Sequence, residues 1–186
     1  MPNSMRGLPK THAAFEYAEQ LHSGQTRRAD GAPFVLHPLE VASLLHADGA
    51  PDHLIAAGAL HDVIEKTSVT AAQLRKRFGA RVALVVEAVS EDASISGYAA
   101  RKAALRDQVA RAGPEALRLF AADKISKVRE LRLEGASPRV LRSRRLAHYQ
   151  RCLALLQEHI PGSPLVAKLS EELEPHLAVA AQGGYR

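Results

Sequence analysis

Apolar residues recur at spacings of three and four positions along almost the whole of this 186-residue chain. Such spacing places apolar side chains on one face of an α-helix, whereas a half-buried strand would alternate apolar and polar residues. Glycine and proline, which interrupt regular structure, divide the chain into about nine such segments. The sequence therefore predicts an all-α fold. At this length we expect one domain over 1–186, with a core over 12–160 and a C-terminal helix over 163–181.

Residues that commonly begin or end helices give the predicted boundaries. Thr11 is expected to cap the first helix, and Thr70 with Gln73 matches a capping box. Several prolines suit first helical positions. The stretch HSGQTRRADGAPFVLHP is predicted to be a loop. The predicted helices run from Thr11 to Leu21, Pro38 to Ala47, Pro51 to Lys66, Thr70 to Phe78, Ala80 to Glu91, Gly97 to Ala112, Pro114 to Glu134, Pro138 to His159 and Pro164 to Ala181.

Charge and cysteine content narrow the possible functions. A formal net charge of +5 and a pI near 9.6 favour anionic partners such as nucleotides, nucleic acid or phosphate esters. The single cysteine, Cys152, cannot form an internal disulfide and argues for a reducing compartment. No stretch approaches the roughly 18 to 20 uninterrupted apolar residues of a membrane span. We therefore expect a cytoplasmic protein with no membrane partner; the oligomeric state stays open.

The segment GALHDVIEKT carries the most unusual polar residues of the chain. His61 shares a small-residue helix face with Ala57 and Gly58, and Asp62 and Glu65 project into the same quadrant. A buried carboxylate beside a buried imidazole costs several kcal/mol unless both are satisfied, roughly the desolvation penalty of a polar group, and a divalent cation satisfies both. The simpler alternative is a surface histidine beside a solvated aspartate.

Two further positions favour the cation. His37 precedes Pro38 at a predicted helix start, where the rigid turn fixes the direction of its side chain. Asp123 follows Leu119 and Phe120 by about one turn on an amphipathic helix, and so shares their apolar face. An acid on such a face requires a positively charged partner.

Four sequence blocks together resemble a known family. The blocks are HP at 37–38, LHDVIE at 60–65, RFGARVALVVEAV at 77–89 and LFAADKISKVREL at 119–131. In order and spacing they resemble the HD-domain hydrolases of the RelA/SpoT alarmone family, above all the small stand-alone alarmone hydrolases. The resemblance covers roughly 12–150 and implies a single helical bundle, the HD-domain fold.

The resemblance implies a metal site and a reaction. His37, His61, Asp62 and Asp123 would bind one divalent ion, in this family usually Mn²⁺; the ligand types alone suit Mn, Fe or Zn. The reaction would remove the 3′-pyrophosphate from ppGpp or pppGpp by attack of water at the metal, with Glu65 orienting or deprotonating that water.

The same resemblance implies substrate contacts. Arg27 and Arg28 match the basic loop that covers the guanine and the phosphates, and guanidinium groups stack well on rings. Tyr98, Arg101 and Lys102 are weaker candidates for substrate binding, with a solvated helix face as the alternative.

Three pocket positions depart from the family pattern. Lys66 follows Glu65 where active alarmone hydrolases carry an aspartate, Lys127 replaces an asparagine, and Glu130 replaces a small hydroxyl residue. One interpretation is a hydrolase retuned for another phosphorylated nucleotide, such as NADPH or a nucleoside phosphate. Lys66 would then be catalytic, protonating a leaving phosphate, and Lys127 would bind substrate. The other is a nucleotide-binding sensor with weak catalysis, because a displaced acid no longer positions water.

A basic stretch offers a hypothesis from another class. SPRVLRSRRLAHYQR, with RKR at 75–77, could contact nucleic-acid phosphates through Arg139, Arg142, Arg144, Arg145 and Arg151. No helix-turn-helix, zinc-finger or aromatic RNA-binding motif accompanies it. We therefore expect a phosphorylated nucleotide as substrate and no nucleic-acid partner.

Overall fold

The computed structural model describes Met5, residues 7–133 and residues 144–182. Within these ranges the chain forms α-helices and an isolated β-bridge between Thr26 and Pro33, which confirms the all-α prediction. No helix in the described ranges is both long and apolar enough to cross a membrane. The helices are α1 Pro9–Leu21, α2 Leu36–Ala47, α3 Asp52–Leu60, α4 Val63–Lys66, α5 Ala71–Phe78, α6 Ala80–Val89, α7 Tyr98–Ala112, α8 Pro114–Leu133, α9 Arg144–His159 and α10 Pro164–Gln182.

The predicted cap of α1 is wrong. Thr11 lies inside the helix, and its hydroxyl donates to Asp52 Oδ1 over 2.7 Å. Asp52 also accepts the backbone N–H groups of Lys10 and Thr11, at 3.0 and 2.9 Å. The free N–H groups of the first turn are thus satisfied by the first residue of α3, a partner distant in sequence.

The capping box of α5 is confirmed. Thr70 Oγ1 accepts from the Gln73 backbone N–H over 3.3 Å, and Gln73 Oε1 accepts from the Thr70 N–H over 2.8 Å. Gly79 follows α5 with φ +93°, a conformation that glycine adopts without strain. Local signals of this kind predicted the boundary because every partner lies within one turn.

The centre of the bundle is α3, in which every residue from Leu54 to Leu60 is buried. It packs against α1, α2, α6 and α8. Gly58 allows α2 to approach closely, since a Cβ there would lie 2.7 Å from Leu45 Cδ1 and 3.4 Å from Ala42 Cα. This close approach brings the start of α2 near the end of α3.

The predicted helix from Pro51 to Lys66 is interrupted at His61 and Asp62. Helix α3 ends at Leu60, and α4 begins at Val63. His61 Nδ1 donates to the Gly58 carbonyl over 2.8 Å, which is the acceptor that a continuing helix would use for the Asp62 N–H. The continuous helix was therefore wrong, because a side chain competes for the backbone acceptor.

Candidate metal centre

Three separate segments bring the four predicted metal ligands together. His37 is the second residue of α2, His61 and Asp62 form the turn after α3, and Asp123 lies on α8. All four are buried, with exposed fractions from 0% for His37 to 9% for Asp123.

The ligand atoms face one another at short range. His37 Nε2 lies 3.1 Å from His61 Nε2 and 3.2 Å from Asp123 Oδ1. Asp62 Oδ2 lies 3.6 Å from both imidazole Nε2 atoms. The donor atoms of His37, His61 and Asp123 all lie within 4.8 Å of one another, an arrangement positioned to bind a metal ion.

The hydrogen bonds behind the rings fix both imidazoles for metal binding. His61 Nδ1 faces the Gly58 carbonyl, which only accepts, so Nδ1 carries the proton. His37 Nδ1 lies 2.8 Å from Ser126 Oγ, and Ser126 donates its own proton to Glu40 Oε2 over 2.7 Å. In the neutral rings both Nε2 atoms therefore present lone pairs toward the centre, where a cation resolves their repulsion.

The two carboxylates also favour a cation at the centre. Asp62 Oδ2 and Asp123 Oδ1 are buried and accept no hydrogen bond, although buried polar atoms almost always have a partner. Two imidazole nitrogens and two carboxylate oxygens suit a divalent transition metal. The residues present therefore fit the ion that the resemblance implies.

Charge around the site favours an added cation. Although burial opposes protonation, the carboxylates of Asp62 and Asp123 raise the pKa of His61. Burial lowers the pKa of His37 to about 4. Burial alone would raise the pKa of Asp62, but the imidazole of His61 and the ammonium of Lys127 lower it to about 2. The carboxylates thus stay ionised and His37 stays neutral, the states in which these groups bind a metal, whereas a proton on His61 would be released when the metal binds.

Lys124 forms a buried ion pair with Asp123. Its buried ammonium bonds to Asp123 Oδ2 and lies 4.4 Å from the centroid of the Phe120 ring. Burial favours the neutral acid, but Lys124 and the two histidines keep the pKa of Asp123 well below its ordinary value. The lysine occupies one carboxylate oxygen and leaves Oδ1 facing the centre.

Glu65 lies on α4, next to the centre. Its Oε1 accepts from the Glu91 backbone N–H over 2.7 Å, so a loop 26 residues away fixes the direction of the carboxylate. The side chain is exposed, and partial desolvation raises its pKa. Among the described groups, its second oxygen is left to face solvent.

A cavity of about 620 Å³ lies next to the predicted metal ligands, because two of its lining residues, Phe34 and Glu130, lie against His37. Four residues predicted as substrate or catalytic groups line it: Arg27, Arg28, Lys66 and Lys127. The ammonium groups of Lys66 and Lys127 lie 4.9 and 5.6 Å from the centroid of one ring, that of Phe34. Arg27 pairs with Asp30, its Nε lying 3.1 Å from Oδ1. The cavity wall is therefore strongly cationic, with Glu130 as the acid among its lining residues.

Three predicted substrate contacts on α7 lie outside the lining of this cavity. Arg101 Nε donates to Glu91 Oε2 over 2.7 Å, and Lys102 pairs with the other oxygen of the same carboxylate. The Tyr98 ring stands edge-on to the His148 ring, with centroids 6.4 Å apart. A role for these three side chains in substrate binding stays a prediction.

Sequence reasoning missed several residues of the site. Phe34 is a buried ring that contacts the His37 ring, with centroids 5.8 Å apart. It is the one phenylalanine or tyrosine in the predicted loop and stands three positions before His37, which was a usable signal. Ser126 had no such signal, because its partners His37 and Glu40 lie far away in the sequence. Lys124, whose partner is the adjacent Asp123, and Tyr149, which lines the cavity, were also missed.

The arginines of the nucleic-acid hypothesis do not share one environment. Arg139 and Arg142 lie outside the described residues. Arg144 lies over the Tyr98 ring, 5.5 Å from its centroid, whereas Arg145 lines the cavity. Arg151 is exposed on α9, and Arg77 stacks on Tyr17 at 3.9 Å.

Known proteins resemble this chain in sequence and fold. A probable guanosine-3′,5′-bis(diphosphate) 3′-pyrophosphohydrolase of Synechocystis is 44% identical over 78 residues, which is 42% of this chain and 10% of that protein. A GTP pyrophosphokinase of Streptomyces coelicolor is 34% identical over 128 residues, 67% of this chain and 15% of that protein. The chain thus spans a small part of these relatives.

A solved structure matches over almost its full length. It is described as a metazoan ortholog of SpoT that hydrolyses ppGpp, and it superimposes with a TM-score of 0.78 at 24% identity, covering 90% of this chain and 96% of the other. This likeness establishes the shared fold. The family model for the HD domain matches residues 14–148. Because that match extends over most of the sequence and includes all four residues predicted as metal ligands, the chain belongs to the HD domain family.

Proposed function

We propose that this protein is a metal-dependent phosphohydrolase that removes the 3′-pyrophosphate from ppGpp and pppGpp. The observation that carries the proposal is the convergence of two imidazole Nε2 atoms and two unpartnered carboxylate oxygens beside a cationic cavity. The name of the Synechocystis relative and the description of the metazoan structure support the alarmone as substrate.

In this proposal His37, His61, Asp62 and Asp123 hold one Mn²⁺ ion. A bound divalent ion supplies two kinds of chemistry: it lowers the pKa of water and it polarises a phosphoryl oxygen. Their two negative charges neutralise the charge of the ion. Ser126 and the Gly58 carbonyl keep the imidazoles in the required orientation.

Glu65 orients or deprotonates the attacking water. The Glu91 N–H holds one of its oxygens, which leaves the other free to accept a hydrogen bond from water. A carboxylate fixed in this way loses little further freedom when the substrate binds.

The basic side chains of the cavity bind the phosphates. Arg27 and Arg28 line it, so a polyanion entering the cavity would meet guanidinium donors. Protonation of a leaving phosphate by Lys66 belongs to the second candidate below, because removal of pyrophosphate from ppGpp makes the ribose 3′-oxygen the leaving group. A cytoplasmic location completes the proposal and agrees with the single, unpaired cysteine.

A second candidate is hydrolysis of another phosphorylated nucleotide, such as NADPH or a nucleoside phosphate. The observation that favours it is the position of Lys66 and Lys127, whose ammonium groups both lie over the Phe34 ring of the cavity. The same cavity also supports the hypothesis of a sensor that binds the nucleotide without turning it over.

A manganese-supplemented substrate screen separates these candidates. It would compare ppGpp, pppGpp, nucleoside phosphates and NADPH, and would include His61→Ala and Asp62→Ala as controls. The proposal predicts pyrophosphate release from ppGpp and pppGpp by the unmodified protein and none by either variant. Tight binding without product would identify a sensor, and activity that survives both substitutions would refute the assigned site.

A further inference from the structure

A chain of polar side chains leads away from the back of His37. Ser126 Oγ lies 2.8 Å from His37 Nδ1 and donates to Glu40 Oε2 over 2.7 Å. Arg129 Nη1 donates to the other oxygen, Glu40 Oε1, also over 2.7 Å. Ser126 is fully buried, whereas the side chains of Glu40 and Arg129 are 27% and 32% exposed.

The chemistry of these groups permits one direction of hydrogen bonding. Arginine only donates and an ionised glutamate only accepts, so Ser126 must direct its proton to Glu40. The serine oxygen then has only lone pairs left for His37, which must hold its proton on Nδ1. Glu130 Oε1 lies 3.6 Å from the same nitrogen, too far for a hydrogen bond.

We propose that Glu40 and Arg129 are positioning residues that set the tautomer of His37 through Ser126 and thereby keep its Nε2 lone pair available to the metal. The inference rests on the metal site of the proposed function. It assigns to Glu40 and Arg129, which lie behind the metal ligands, control over one ligand atom.

The last helix anchors this route. Arg129 Nε donates to Glu172 Oε1 over 2.8 Å, and Arg132 Nη2 lies 2.7 Å from Glu172 Oε2. Glu172 is buried on α10, beyond residues 14–148 that match the HD domain model. The segment outside the family match therefore holds the arginine that orients Glu40.

The substitution Glu40→Gln tests the proposal without changing the shape of the side chain. Because Arg129 only donates, the new amide must turn its oxygen to Arg129 and its NH₂ group to Ser126. Ser126 then accepts from the amide and donates its own proton to His37 Nδ1. The tautomer inverts, and the proton moves to Nε2, the nitrogen that would bind the metal.

Two measurements detect this inversion of the tautomer and its effect on metal binding. Long-range ¹H–¹⁵N spectra of metal-free protein report which nitrogen of His37 is protonated, and calorimetric titration with Mn²⁺ reports affinity. We expect Nδ1–H in the unmodified protein, Nε2–H in Glu40→Gln, and metal binding weaker by about 10- to 100-fold, the usual effect of losing such an outer partner. Glu172→Gln should weaken Mn²⁺ binding less, and Glu171→Gln, an exposed neighbour on α10, should leave it unchanged.

The outcomes separate this inference from the proposed function. Retention of the Nδ1–H tautomer and of full Mn²⁺ affinity in Glu40→Gln would overturn the inference, whatever the substrate proves to be. Mn²⁺ binding with the predicted losses, but without hydrolysis of any nucleotide, would support the inference and refute the proposed function. No Mn²⁺ binding by the unmodified protein would refute both. Melting curves would verify that each variant is folded.

Discussion

The substitution Asp123→Asn should destabilise the metal-free protein far more than loss of an ordinary ion pair. Lys124 is 6% exposed, and its ammonium bonds to Asp123 Oδ2. The amide is nearly isosteric, so packing stays the same while the charge that compensates the lysine disappears. The variant leaves an uncompensated buried ammonium group.

The expected loss of stability follows from the burial of the Lys124 ammonium group. Removing one partner of a buried ion pair costs about 3–5 kcal/mol, because the other charge remains in a poorly solvated site. For a protein of this length each kcal/mol corresponds to a shift in Tm of roughly 2–4 °C. The Phe120 ring, 4.4 Å from the ammonium, offers an interaction worth about 1–2 kcal/mol at most, which cannot replace the carboxylate.

Urea unfolding in the presence of a chelator measures this loss directly. The matched control is Glu87→Gln, which removes the acid of an exposed pair whose Arg75 Nη2–Glu87 Oε2 distance is 4.0 Å and should cost at most about 1 kcal/mol. If Asp123→Asn lowered the free energy of unfolding no more than Glu87→Gln does, the assigned burial of Lys124 would be wrong. Added Mn²⁺ should stabilise the unmodified protein and not the Asp123→Asn variant.

Three further predictions concern packing, the thiol and the substrate. Gly58→Ala should lower the free energy of unfolding by up to about 2 kcal/mol. Crowding against Leu45 costs about 1–3 kcal/mol, which exceeds the roughly 1 kcal/mol gained in helix propensity. Greater stability in urea would contradict the close approach of α2 and α3. Burial raises the pKa of the Cys152 thiol to about 11, so Cys152 should react slowly with a thiol reagent until urea unfolds the protein, and fast labelling of native protein would refute this. The double change Lys66→Asp and Lys127→Asn, which restores the family pattern, should raise ppGpp hydrolysis; unchanged ppGpp turnover with robust activity on another nucleotide would refute the alarmone as substrate.

Features governed by neighbouring residues could be predicted from the sequence. Pro114 and Pro164 begin α8 and α10 as expected, and the capping box of Thr70 forms. Helix periodicity placed Asp123 on a buried face. In each case the decisive partner lies within a few positions, so a local pattern contains the needed information.

Features governed by distant partners could not be predicted. Thr11 resembles a helix cap, but Asp52, which lies 41 positions away, supplies the acceptor. The side chain of His61 takes a backbone acceptor and ends a helix that periodicity would continue. Ser126 has no distinctive local pattern, and only the fold shows that it lies between His37 and Glu40.

The predicted metal ligands lie between these two cases, because the sequence contained part of the information about them. Their chemistry and spacing suggested a cation, and the family resemblance supplied the set. The structure adds the reason why the set suits a cation, since Nδ1 of each ring is engaged and the two Nε2 atoms meet at 3.1 Å. Roles for Glu65, Lys66 and the cavity arginines depend on a bound substrate and stay predictions.

In the proposed function, one metal ion at His37, His61, Asp62 and Asp123 supports hydrolysis of ppGpp. The most direct measurement titrates chelator-stripped protein with Mn²⁺ while following both bound ion and pyrophosphate released from ppGpp. We expect binding and release to rise together and to saturate at one ion per chain, and we expect neither in His61→Ala. Pyrophosphate release by the stripped protein, or unchanged release by His61→Ala, would contradict it.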